Sequence, residues 1–210
     1  MKNYMTAVLA FIVLMGAGVP NGYAGEKAAA RAPRIEMLDD ATMTKMRKLG
    51  MADEQNRILA SIVGAWDFDL HFWSKEDSDP QFSTGTAANE MIFDNRFLSS
   101  KMLVILNIGG ETIPYEGWSL EGYDTIRKAY TSVLIDKMHT GITTGAGQYN
   151  EKTKTLEQKG SFTHPLIDRE SRYRSELEFT SDDTYKRTVY ITGKDGREFK
   201  ALEIDFRRQR

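Results

Sequence analysis

The chain predicts an all-β fold, an antiparallel meander of about ten strands closed into a barrel and preceded by one or two short helices. Three observations carry this. Gly64 to Trp73 alternates Trp66, Phe68, Leu70 and Phe72 with Asp67, Asp69 and His71, a period of two that gives a strand one apolar and one polar face. From Ala65 onward, short β-type segments are separated by turn residues with no helical interruption. A sheet that large, with one apolar face and no helix to cover its edges, is best satisfied by closing on itself; a two-sheet sandwich is the competing arrangement.

The elements follow in chain order. Met5 to Val19 is almost wholly apolar behind Lys2, and Gly22-Tyr23-Ala24 supplies small residues where a signal peptidase reads. Residues 1–24 are therefore expected to be a signal peptide, too short in its apolar run for a membrane span. Residues 25–52 read as a flexible lead with a short helix capped by Asp39 or Asp40 and stopped by Gly50. Residues 53–210 form the barrel domain, entered through a second helix with the stripe Ile58, Leu59, Ile62 and Val63. Strands are expected near 65–73, 83–93, 96–106, 113–122, 129–138, 141–149, 155–163, 171–180, 185–192 and 197–207. Turns fall at Asp94-Asn95, Asn107 to Gly110, Asn150 to Lys152, Ser181 to Asp183 and Gly193 to Gly196.

Parity also predicts how the sheet closes. In the last strand Leu202, Ile204, Phe206 and Arg208 share a face, and Arg207 lies on the other. A guanidinium ending an apolar face needs a partner, and Trp66 at the start of the first strand supplies an indole for cation–π stacking. A Gly-x-Trp opening the first strand, with an Arg of the last strand over its indole, resembles lipocalin-type (calycin) barrels.

A wider pattern spans roughly Asp53 to Arg208. Gly64-x-Trp66, Asn95-Arg96-Phe97-Leu98, Glu116-Gly117 with Gly122-Tyr123-Asp124, Ile135 to Met138 with Thr140-Gly141, and Thr153-x-Thr155-Leu156 with Gly160 occur in this order. It resembles a mostly bacterial family catalogued as domain of unknown function 1579. The resemblance implies an exported, calycin-like antiparallel barrel and transfers no catalytic residue. His139 departs from the Gly common in relatives, and Leu134 from their frequent Trp.

Composition narrows the function. Lys and Arg total 28 against 30 Asp and Glu, which lacks the basic footprint of a nucleic-acid binder. The absence of cysteine removes disulfides, thiolate catalysis, thiolate metal sites and a lipoprotein anchor. His71, His139 and His164 have no metal-pair spacing, so no metal is expected. No Gly-x-Ser-x-Gly elbow or phosphate loop occurs.

Asp136 shares parity with Tyr130, Ser132 and Leu134, and so reads as an inward acid that needs partners. Arg96 and Glu116 carry the parity of their strands' apolar residues, Glu116 with Trp118 and Leu120. Arg96, Glu116 and Asp136 are expected to converge inside the barrel, with His139 nearby, as the candidate ligand-binding site; Trp66 and Arg208 are structural. The expected function is binding of a small, largely apolar molecule in the interior, in the periplasm or outside the cell. No nucleic acid, stable membrane anchor or resident cofactor is expected. The alternatives are an enzyme working through Asp136, a nitrobindin-type barrel holding haem through His139 or His164, and a packed module without a ligand.

Overall fold

Each strand of the sheet lies antiparallel to the next, and the last pairs with the first, which leaves no free edge. The computed structural model describes residues 39–108, 110–164, 169–193 and 196–210. In chain order come α1 (Asp40–Leu49), α2 (Glu54–Ala60), β1 (Gly64–Phe72), β2 (Gln81–Ile92), β3 (Phe97–Ile108), β4 (Glu111–Asp124), β5 (Ala129–Asp136), β6 (Thr143–Asn150), β7 (Thr155–His164), β8 (Arg169–Ser181), β9 (Thr184–Thr192) and β10 (Glu198–Arg208). The expected signal segment and the lead up to residue 38 lie outside the described residues.

All strands begin and end within two residues of the bounds expected from sequence. β5 stops at Asp136, short of the expected 138, for a local reason. The Asp136 carboxylate accepts the backbone N–H of Met138 at 2.7 Å and of His139 at 3.2 Å, an Asx-type turn that ends the strand.

The helices sit at the barrel end bearing the β2–β3 and β4–β5 turns. Asp53 and Asn56 form a reciprocal capping box that starts α2. Asn56 then donates through Nδ2 to the Arg96 carbonyl at 2.8 Å, and the Tyr130 hydroxyl donates to the Gln55 carbonyl at 2.9 Å. Leu59 and Ile62 of the predicted stripe are buried, while Val63 is exposed. Behind them Trp66, Phe68, Leu98, Tyr130, Leu156, Leu177, Tyr185 and Phe206 form a packed apolar floor.

Closure is pinned at this end. Trp66 pairs with Arg208 and Phe68 with Phe206 across β1 and β10. The Arg208 guanidinium lies 4.2 Å from the Trp66 ring centroid. Its Nη1 donates to the Val63 carbonyl at 2.6 Å, Nη2 to Ser61 at 3.2 Å and Nε to Asp182 at 2.9 Å. One side chain thus ties the entry to β1 to the β8–β9 turn. The indole donates to the Ile62 carbonyl at 2.9 Å. Gly64 has φ 132°, and a Cβ there would sit 2.5 Å from Arg208 Nη1, so both conformation and space demand glycine.

Arg208→Ala is expected to destabilise the barrel by about 2–3 kcal/mol in urea denaturation, through the lost ring contact and the carbonyls left without their donor. Gly64→Ala should destabilise by roughly 1–3 kcal/mol. Arg207 turns outward and pairs with Asp69 at 2.7 Å, and Arg207→Ala should have a much smaller effect than either. Equal losses at 207 and 208 would contradict the closure role.

Candidate functional site: a polar pair across the barrel interior

The inner face of β4 carries Ile113, Tyr115, Gly117, Ser119, Glu121 and Tyr123, and that of β9 carries Tyr185, Arg187, Val189 and Ile191. In the ring of ten strands, β4 and β9 are five apart by either route and occupy opposite walls. From those walls Arg187 Nη2 donates to Glu121 Oε1 at 2.6 Å, an ion pair that crosses the interior, with Glu121 directly cross-strand from the buried Leu98 and Arg187 from the buried Leu177. The Glu121 residue is 2 % exposed. Its second oxygen, Oε2, has no hydrogen-bond partner among the described residues. Burial works against the charged form of Arg187, but the Glu121 charge and hydrogen bond outweigh it and raise its pKa.

Burial varies along the inner face of the barrel. Toward the end opposite the helices, the inner residues Met102, Leu134, Phe162, Tyr173, Val189, Ile191 and Phe199 are only half-buried. Arg187 lies in mid-strand on an inner face, yet 24 % of its side chain remains accessible. On the same inner face Leu70, Ser83, Val104 and Ser171 stay buried, so the two kinds of position alternate toward that end.

Two phenols flank the pair. Tyr185 stacks on Phe206 at 4.1 Å and receives the Asn89 amide N–H at 3.1 Å. Tyr173 is hydrogen-bonded to Ser132, and a Cβ on the facing Gly145 would collide with its hydroxyl. Burial, as the foremost cause, pushes both phenols above their ordinary pKa. It does the same for Tyr115, with a further push from the Asp136 charge, and for Tyr130.

The expected convergence of Arg96, Glu116 and Asp136 does not occur. β3 and β5 run in the same direction, so Arg96 before the start of β3 and Asp136 at the end of β5 lie at opposite ends of the barrel. Arg96 pairs instead with Asp94 at 3.4 Å beside the helices. Glu116 faces outward with Trp118 and Leu120, and bonds Lys101 at 2.7 Å. The face of β4 was misjudged because both of its parities hold apolar residues. Its register, with Gly117 opposite both Met102 and Asp136, decides the matter.

Asp136 does point inward, and its side chain is only 8 % exposed. His139 Nδ1 lies 2.7 Å from Asp136 Oδ1, the arrangement that orients an imidazole and leaves Nε2 as its remaining nitrogen. The side chain of His164 lies outside the described residues. On the outer face, His71, Glu203 and Asp205 bring one ligand atom each within 4.8 Å of one another. Adjacent strands supply them, so no sequence spacing could reveal the cluster. Lys200 at 2.9 Å from Glu203 and Lys186 at 3.2 Å from Asp205 already compensate its carboxylates. A groove of about 610 Å³ near Asp69, Leu103, Ile105 and Glu116 also opens mainly on the outer face.

Residues 51–208 match the family model described as "Protein of unknown function (DUF1579)". The chain belongs to this family. No curated protein matches it. Among solved structures, this family member is similar to Rv2717c from M. tuberculosis, at 11 % identity and TM-score 0.58 over 76 % of this chain and 100 % of that one. It is also similar to the S-type phycobiliprotein lyase CPES from Guillardia theta, at 10 % identity and TM-score 0.49 over 78 % and 97 % of the two chains. The likeness to Rv2717c concerns the fold alone. Among the described residues, no helix is long and apolar enough to cross a membrane.

Neither Glu121 nor Arg187 stood out in the sequence. The available signal was Tyr185-x-Arg187-x-Val189-x-Ile191, a cation within one apolar parity, masked by the adjacent Lys186.

Removing one partner of the pair should be far worse than replacing both. Arg187→Met alone is expected to destabilise by about 3–5 kcal/mol, and Arg187→Met with Glu121→Leu by less, as measured by chemical denaturation. The phenols give a separate test. Their folded pKa values lie above the unfolded value of about 10, so the stability they confer is complete below that pH and is lost as pH rises beyond it. In an absorbance titration at alkaline pH, Tyr115, Tyr130, Tyr173 and Tyr185 should ionise only together with loss of the barrel's circular dichroism.

Proposed function

We propose that this protein is a binding protein that holds one small, largely apolar molecule inside its barrel, with the polar end of that molecule at Arg187 and Glu121. The supporting observation is the accessibility of Arg187. A mid-strand cation on an inner face, one-quarter accessible above a packed floor, faces room within the barrel. Met102, Leu134, Phe162, Val189, Ile191 and Phe199 give that room an apolar wall. Apolar walls with a few convergent polar groups are the usual make-up of a small-molecule site.

The site of action is proposed to be the periplasm or the exterior. Export rests on the apolar Met5–Val19 run and the small residues at Gly22 and Ala24. Asp136 is assigned to the turn and to the orientation of His139 rather than to catalysis, because its Oδ1 already receives two backbone N–H groups and the ring nitrogen.

Purification from the native host followed by native mass spectrometry tests this reading. One additional mass per chain, released on denaturation and reduced in Arg187→Met with Glu121→Leu, is the expected result. A haem mass with a Soret band would replace it with the His139 reading. No additional mass, together with no binding of the apolar fluorophore 1-anilinonaphthalene-8-sulfonate, would leave the packed module.

A further inference from the structure

We infer that the interior selects an uncharged ligand head that carries a hydrogen-bond donor and an acceptor side by side, as in an amide or lactam. This rests on the interior-binding reading above and goes further by naming the chemistry of the head.

The inference follows from what the cross-barrel pair leaves unmade. Glu121 spends Oε1 on Arg187, and Oε2 is buried with no partner among the described residues. A carboxylate oxygen only accepts, so Oε2 is open to a donor that the described residues do not supply. Arg187 commits one N–H to Glu121 and has further donors on a side chain that remains 24 % accessible. These N–H groups are open to an acceptor. The two unmet demands belong to partners in contact, so one compact head can meet both.

Elimination narrows the class. A carboxylate head would meet Arg187 but bring a second negative charge beside Glu121, and an ammonium head would meet Glu121 but repel Arg187. A hydrocarbon or ester end supplies no donor and leaves Oε2 dry and unpaired, the costly outcome for a buried charged acceptor. An amide N–H to Oε2 and an amide C=O to the guanidinium satisfy both groups without adding charge. Gln158, on the inner face of β7 and 2 % exposed, also has an Nε2 without a partner among the described residues, a further donor for a carbonyl-bearing guest.

Isothermal titration calorimetry of the full barrel with octanamide, methyl octanoate, octanoate and octylamine tests the inference, since the four share one apolar tail. Octanamide is expected to bind at least roughly tenfold more tightly than each of the others, the ratio given by one hydrogen bond to a charged group. In the doubly substituted Glu121→Leu, Arg187→Met protein the preference should vanish, with octanamide falling to the affinity of the others. Equal affinities in the unsubstituted protein, or octanoate binding most tightly, would overturn the amide-type head yet leave interior binding standing. Failure of all four to bind would overturn the interior-binding reading and this inference with it. Circular dichroism of the double variant confirms that it remains folded, and the comparison among ligands on the unsubstituted protein does not depend on it.

Discussion

The pairing of β1 with β10 is the constraint on which everything else in this molecule depends. A meander of ten strands has two edges, and each would be a row of unpaired backbone groups if the sheet stayed open. Seven residue pairs from Trp66–Arg208 to Phe72–Leu202 join them. Backbone pairing alone would permit a slip in register, but a slip of one residue would turn every inward side chain outward. Arg208 prevents it by stacking on Trp66 while bonding carbonyls on both sides of the seam. The closure is therefore fixed in register as well as in topology.

That closure also determines where a ligand can go. Trp66 and its neighbours fill the helix end, and α2 covers it through Leu59, Asn56 and the Tyr130 hydroxyl. Glu121 and Arg187 adjoin this packed end, cross-strand from Leu98 and Leu177, and Arg187 keeps part of its side chain accessible. Positioning of the polar pair is thus a consequence of packing. Tyr185 packs on Phe206 and Trp66 within the floor, and Arg187 two residues later must emerge from the same wall just above it.

The fold was legible because period-two alternation and turn residues are local signals. Trp66 and Arg208 were legible for a related reason, since a closed meander fixes the neighbours of its terminal strands and parity supplies the rest. The interior site was not legible in the same way. Glu121 sits on a strand whose two parities both contain apolar residues, so no alternation marks its inner face. The Trp118 and Leu120 parity faces outward and carries Glu116 with it, while Glu121 faces inward. The contact with Arg187 joins walls five strands apart, and that distance depends on the number of strands in the ring and their stagger, which sequence specifies only collectively. Asp136 was placed on the correct face, but its partner proved to be the adjacent turn and His139, not a distant cation.

Stability alone does not account for the cross-barrel pair. Two charges withdrawn from water recover their desolvation only when geometry is good and their remaining hydrogen-bonding capacity is met. Here the first condition holds at 2.6 Å and the second fails at Glu121 Oε2. A half-satisfied polar network is a poorer core than leucine and methionine at the same positions would be. The pair also does little to fix the register, which Arg208 already secures at the seam. What it does provide is an acceptor and a donor set from opposite walls beside the phenols of Tyr173 and Tyr185. Such preorganisation is unfavourable in an empty protein and becomes favourable only when a guest completes the hydrogen bonds. The same atoms that make the pair a poor structural element are the ones that the proposed ligand would engage.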